Sequence, residues 1–129
     1  MARRSIEVPG LHHGSLPIPQ ACVVGDLLVS GGISPLDPAT GGVPDDAEAQ
    51  VALAFANACR VLDAAGGRPA DVVKVTVFVR DKGIRPAIDK CWLELFPDEH
   101  SRPARHTLRT DLAEPLQIQL EITAVLGKG

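Results

Sequence analysis

The chain has no tyrosine, and its aromatic side chains are three Phe and one Trp in 129 residues. Base stacking is therefore almost unavailable to it. The formal net charge of −3 also removes the counterion release that drives binding to phosphate backbones. Both absences argue against a nucleic-acid binder, ribonucleases included. No apolar run approaches the roughly 20 residues of a membrane helix. The basic start Met1-Ala2-Arg3-Arg4 runs into Ser5-Ile6-Glu7-Val8-Pro9, a charge and a proline where a secretory signal needs an apolar stretch. Cys22, Cys59 and Cys91 are odd in number, widely spaced and without a CxxC pair. That argues against a disulfide framework or a zinc site and fits a reducing cytoplasm. No GxGxxG or GK[ST] loop is present, and Ser30-Gly31-Gly32 is too short to cradle a phosphate.

What is present is an apolar fraction of 45%, too high for a disordered chain, punctuated by 12 Gly and 11 Pro. The length suits one domain with one core. Ala21-Cys22-Val23-Val24 and Leu27-Leu28-Val29-Ser30 are short apolar runs separated by Gly25-Asp26, which predicts a hairpin with Gly at the position that needs positive φ. After a turn-rich loop, Asp45 and Glu48 read as a capping box. Val51, Ala54, Phe55, Ala58, Val61, Leu62 and Ala65 then recur at helical spacing until Gly66-Gly67. Val72 to Val79 reads as a strand, with Val73, Val75, Val77 and Val79 on one face and Lys74, Thr76 and Phe78 on the other. A second helix carries Pro86 early and Ile84, Ile88, Cys91, Trp92 and Leu95 inward, and it ends at Pro97. Ala104 to Thr110 alternates Ala104, His106 and Leu108 against Arg105, Thr107 and Arg109. Leu116 to Leu126 alternates most cleanly of all.

The order β-β-α-β-α-β-β, with a further strand expected near Ser5 to Val8, predicts a two-layer α+β domain with both helices on one sheet face. Residues 1–16 are an extension or an edge strand. The other face would carry Lys74, Thr76, Phe78, Arg105 and Gln119. Either another copy of the chain covers it, leaving polar pockets between subunits, or it is simply solvated.

Among single residues, Arg105 at the start of its strand can offer a planar fork to a carboxylate, although an unplaced Arg is more often ordinary surface. Gln119 and Glu121 share one face of the last strand, about 6.6 Å apart. A carboxylate there could orient water, and a solvated strand face explains the pair equally simply. His12 and His13 point opposite ways on an extended chain, with no second pair at ligand spacing, so no metal site is expected. His106 reads as semi-buried, and Cys91 as core rather than nucleophile.

Taken in order, these stretches resemble the RidA family, also called YjgF, from about Pro17 to Leu126. The resemblance is carried by Leu28-Val29-Ser30-Gly31-Gly32, Asp37-Pro38-Ala39-Thr40-Gly41, Gln50 through Ala65-Gly66 and Val72-Val73-Lys74-Val75-Thr76-Val77. Phe96-Pro97, Pro103-Ala104-Arg105 and Gln119-Leu120-Glu121-Ile122-Thr123-Ala124-Val125 complete it. It implies a chorismate-mutase-like subunit in a homotrimeric barrel with three pockets at the interfaces. The implied activity is hydrolysis of small carboxylate-bearing enamines and imines to 2-keto acids and ammonia, without metal or organic cofactor. Residue by residue, it implies that Arg105 clamps the carboxylate and that Ser30, Gly31 and Thr107 line the pocket. The family's pocket Asn falls on Asp89 and its pocket Tyr near Ile18. Its water-positioning Glu falls on Gln119, with Glu121 at the next acidic position. Because Gln cannot accept a proton from water, a slow deaminase is implied, and a non-catalytic module binding small carboxylates is the alternative.

Overall fold

A computed structural model describes residues 1–127. The elements follow one another as β1 (Arg4–Ile6), β2 (Ala21–Val24), β3 (Leu27–Ser30), α1 (Ala47–Ala64), β4 (Val72–Val79), α2 (Arg85–Leu95), β5 (Ala104–Arg109) and β6 (Ile118–Val125). This is the expected α+β order, with the extra N-terminal strand present as β1. Gly25 takes φ +60, as the β2–β3 hairpin requires. One six-stranded sheet results, in the order β1-β2-β3-β6-β4-β5. It is mixed: β4 and β5 run parallel, and α2 supplies the crossover that a parallel pair needs.

Both helices cover one face of this sheet. Val51, Ala54, Phe55, Ala58, Val61 and Leu62 of α1 are buried, as are Val75, Val77 and Val79 of β4 and Ile118, Leu120 and Ile122 of β6. Burying each large apolar side chain contributes roughly 1.5–3 kcal/mol, so this single interface accounts for the bulk of the core. Ile88, 1% exposed, anchors α2 to the same layer. No helix among the described residues is long and apolar enough to cross a membrane.

Four expectations need correcting. The cap of α1 is Asp46, not Asp45: Asp46 has extended backbone and accepts from the Ala49 amide at 3.0 Å. Val73 is 47% exposed rather than inward with its neighbours. A bulge between Val72 and Lys74 lets two steps of β4 oppose one step of β6, which turns Val73 outward. Arg105 and Thr107 do not lie on the open polar face. Arg105 is in register with buried Val75 and Thr107 with buried Val77, so both side chains lie on the helix-covered side. His106, in register with Thr76, is consequently exposed on the open face rather than semi-buried.

Candidate active site

The edge strand β5 lies under a helix of only 11 residues, and the cover is incomplete. The gap is a cavity of about 380 Å³ lined by Val79, Lys82, Arg85, Ile88, Arg105 and Thr107. Arg105 is held in it by two side-chain contacts. One Nη2–H donates to Asp89 Oδ1 at 2.7 Å, and the guanidinium carbon stands 5.0 Å from the centroid of the Trp92 ring. Trp92 is itself fixed by an edge-on contact with Phe96, centroids 4.8 Å apart. A guanidinium held by a carboxylate on one edge and an indole on one face has lost much of its rotational freedom. Its remaining N–H donors keep the planar fork geometry that matches a carboxylate. Asp89 also faces Arg85, Nε to Oδ2 4.0 Å.

The other sequence-nominated residues form a second group. Ser30 ends β3, and β6 and β4 separate that strand from β5. Three strand spacings put the two groups about 14 Å apart within one chain. Ser30 is buried and its hydroxyl is fully used, donating to Gly31 C=O and accepting from the Ile122 amide, each at 2.8 Å. Gly31 donates its amide to Gln20 C=O at 2.9 Å. A Cβ added at Gly31 would meet only ordinary contacts, the nearest at 3.9 Å. Ile18 is exposed in the segment entering β2, and Glu121 is exposed in register with Thr76.

Gln119 lies on the open face in register with Phe78, on the side of the sheet opposite Arg105. Its amide rests on Gly32, where a Cβ would come within 2.7 Å of the Gln119 Cδ, and its Nε2 donates to Ser34 Oγ at 3.0 Å. The loop carrying Ser34 is pinned by Asn57, fully buried on α1, which donates to the carbonyls of Ser34 and Leu36 at 2.8 and 2.9 Å. Beside this group, His13 Nε2 is buried with no hydrogen-bond partner, while His12 Nδ1 accepts from Gly14. No cluster of metal-ligating side chains occurs among the described residues. Cys91 packs against the core, and burial, with Glu94 beside it, pushes its thiol pKa up, away from nucleophilic use.

One chain therefore gathers Arg105, Thr107 and Asp89 at one place, and Gly31, Gln119 and Ser34 at another. Sequence reasoning did not nominate Lys82, Arg85 or Asn57. A signal existed for Arg85: a cation in the first turn of a helix opposes the helix dipole, so its presence there asks for a partner. Asn57 gave none, because a polar residue inside a helical stripe looks like surface until its burial is known.

The family model described as Endoribonuclease L-PSP matches residues 16–126. A 2-iminobutanoate/2-iminopropanoate deaminase of Salmonella typhimurium is 33% identical over 112 residues, spanning 84% of this chain and 87% of the relative. The crystal structure of the YjgF gene product of E. coli superposes with a TM-score of 0.84 at 28% identity, covering 95% of this chain and 98% of that one. The crystal structure of E. coli TdcF with bound serine gives a TM-score of 0.86 at 25% identity, covering 96% and 99%.

Proposed function

Since the chain belongs to the RidA/YjgF family, we propose that it hydrolyses small 2-imino acids, and the enamines that tautomerise to them, to 2-keto acids and ammonia. Relatives named imine deaminases support the reaction class. The single observation that carries the reading here is Arg105, oriented by Asp89 and Trp92 at the rim of a cavity large enough for a small carboxylate. TdcF, a protein of the same fold, binds serine, whose carboxylate is the group Arg105 would clamp.

The chemistry asks little of the protein. Arg105 binds the substrate carboxylate through two charge-assisted hydrogen bonds, and Thr107 borders the same cavity. Water adds to the imine carbon, and the former C=N π pair takes a proton at nitrogen, giving a carbinolamine. A second proton on nitrogen makes ammonia the leaving group. The C–N bond breaks as the carbinolamine hydroxyl loses its proton and becomes the keto oxygen. Gln119 holds the attacking water through its carboxamide but takes no proton from it. The rate therefore lacks the roughly 10²–10⁴-fold that a positioned base supplies.

The Gln119 end and the Arg105 end meet only between two copies of the chain, because within one chain they lie on opposite sides of the sheet. The open face supports such an assembly. It exposes Val24, Leu27, Val29 and Val125 together, a patch apolar enough to be covered by another subunit. A homotrimer with pockets at its interfaces is the assembly we propose.

The test is ammonia release from enzymatically generated 2-iminopropionate. We expect acceleration over buffer that Arg105→Ala abolishes; wild type no faster than Arg105→Ala would sink the reading. Gln119, amide in place of acid, favours one alternative: a binding module for small 2-keto or amino acids. Saturable keto-acid binding lost in Arg105→Ala, without turnover by the wild type, selects it.

A further inference from the structure

Resting on the imine-hydrolase reading, we propose that this pocket is built for dianionic substrates: 2-imino acids whose side chain ends in a second carboxylate. Lys82 and Arg85 would hold that second acid. The cavity wall carries three cations, Lys82, Arg85 and Arg105. One anion stands among them, Asp89, which faces both arginines at 2.7 and 4.0 Å. Asp81 accepts from the Gly83 amide at 2.8 Å and is not among the residues lining the cavity. Lys82 forms no ion pair among the described residues. Two positive charges are thus left over in a wall of a chain whose net charge is −3.

A monocarboxylate offsets only one of them. With Arg105 on the 2-carboxylate and Asp89 shared with Arg85, one positive charge remains at the cavity, on the side of Lys82 and Arg85. The geometry suits a short diacid. Arg85 and Arg105 reach the same Asp89 carboxylate, so their guanidiniums stand no further apart than its width plus those two distances. Val79 and Ile88 are the apolar members of the cavity lining. Arg85, on the first turn of α2, is also placed against the helix dipole, and a bound acid group offsets that cost.

The experiment compares kcat/KM for ammonia release from 2-iminoglutarate and from 2-iminopropionate, each generated in place by an amino-acid oxidase. Wild type and Lys82→Met/Arg85→Met are assayed side by side. We expect the wild type to favour the dicarboxylate by about tenfold or more, with the preference narrowing in high salt and collapsing in the double variant. Equal or better use of the monocarboxylate overturns this proposal and leaves the imine-hydrolase reading standing. No acceleration with either substrate overturns both. A preference that persists in the double variant removes Lys82 and Arg85 from the account. Should that variant fail to fold, calorimetric titration of the wild type with 2-oxoglutarate and 2-oxobutyrate decides. Binding of the diacid no tighter than the monoacid, or insensitive to salt, contradicts the proposal.

Discussion

In the proposed mechanism, Gln119→Glu puts an acid where the attacking water would be held, and it should raise the rate of ammonia release. The substitution is isosteric. The side chain is confined between Gly32, whose Cβ position lies 2.7 Å from Gln119 Cδ, and Ser34, whose Oγ is 3.0 Å from Nε2. The Ser34 hydroxyl now accepts; it can rotate and donate to a carboxylate instead, so the orientation survives the change. General-base help of roughly 10²–10⁴-fold corresponds to about 2.7–5.5 kcal/mol of barrier. An imine nitrogen already accepts a proton readily, so the lower end, about 10²-fold in kcat, is the expected gain. The assay is ammonia release from in-place-generated 2-iminopropionate across pH. The variant should also acquire an acidic limb: the base is the ionised form, so its contribution is present at high pH and is lost as pH falls through its pKa. An unchanged kcat and an unchanged pH profile in a variant with wild-type Tm would refute the idea that water is activated beside residue 119.

Two further outcomes follow from the packing. Gln50, 1% exposed, donates to Pro44 and Pro115 carbonyls at 2.8 and 2.9 Å and accepts from the Gln117 amide at 2.7 Å. Gln50→Ala removes three bonds and leaves buried partners unpaired, so urea unfolding should show a loss of about 3 kcal/mol with unchanged m; a loss below about 1 kcal/mol contradicts that role. Burial pushes the thiols of Cys59 and Cys91 upward. Their thiolates are therefore scarcer than those of a free thiol at any given pH. Alkylation should be slow near neutrality and accelerate only above the ordinary thiol pKa, and Cys91→Ala should leave ammonia release intact; rapid labelling at neutral pH contradicts this.

The strands were legible because their patterns are local. β2, β3 and β4 fall where the apolar runs and Gly25-Asp26 predicted them. The cap of α1 was one residue off, since two adjacent aspartates compete and only backbone geometry selects Asp46. The face of Arg105 was read wrongly for a different reason. Alternation correctly grouped Arg105 with Thr107, but which group faces the helices depends on the register Val75↔Arg105, a non-local fact. Polarity suggested the open side. A short α2 over an edge strand instead leaves room for a guanidinium beneath it. The bulge at Val73 likewise depends on how β4 meets β6. The separation of Arg105 from Gln119 could not be read at all, because it needs the whole strand order.

In the proposed assembly that separation makes the site a joint product of two copies, and mixing subunits tests it most directly. Arg105→Ala removes the clamp. Gly31→Trp, placed where an added Cβ meets nothing closer than 3.9 Å, is designed to block the other end of the proposed pocket. Each variant alone should be inactive in ammonia release. Co-refolded in equal amounts, they should recover roughly a quarter of wild-type activity, since random neighbours supply an intact Arg105 and an intact Gly31 to that share of interfaces. No recovery from a mixture shown to form mixed assemblies would place both halves of the site in one chain and contradict the account.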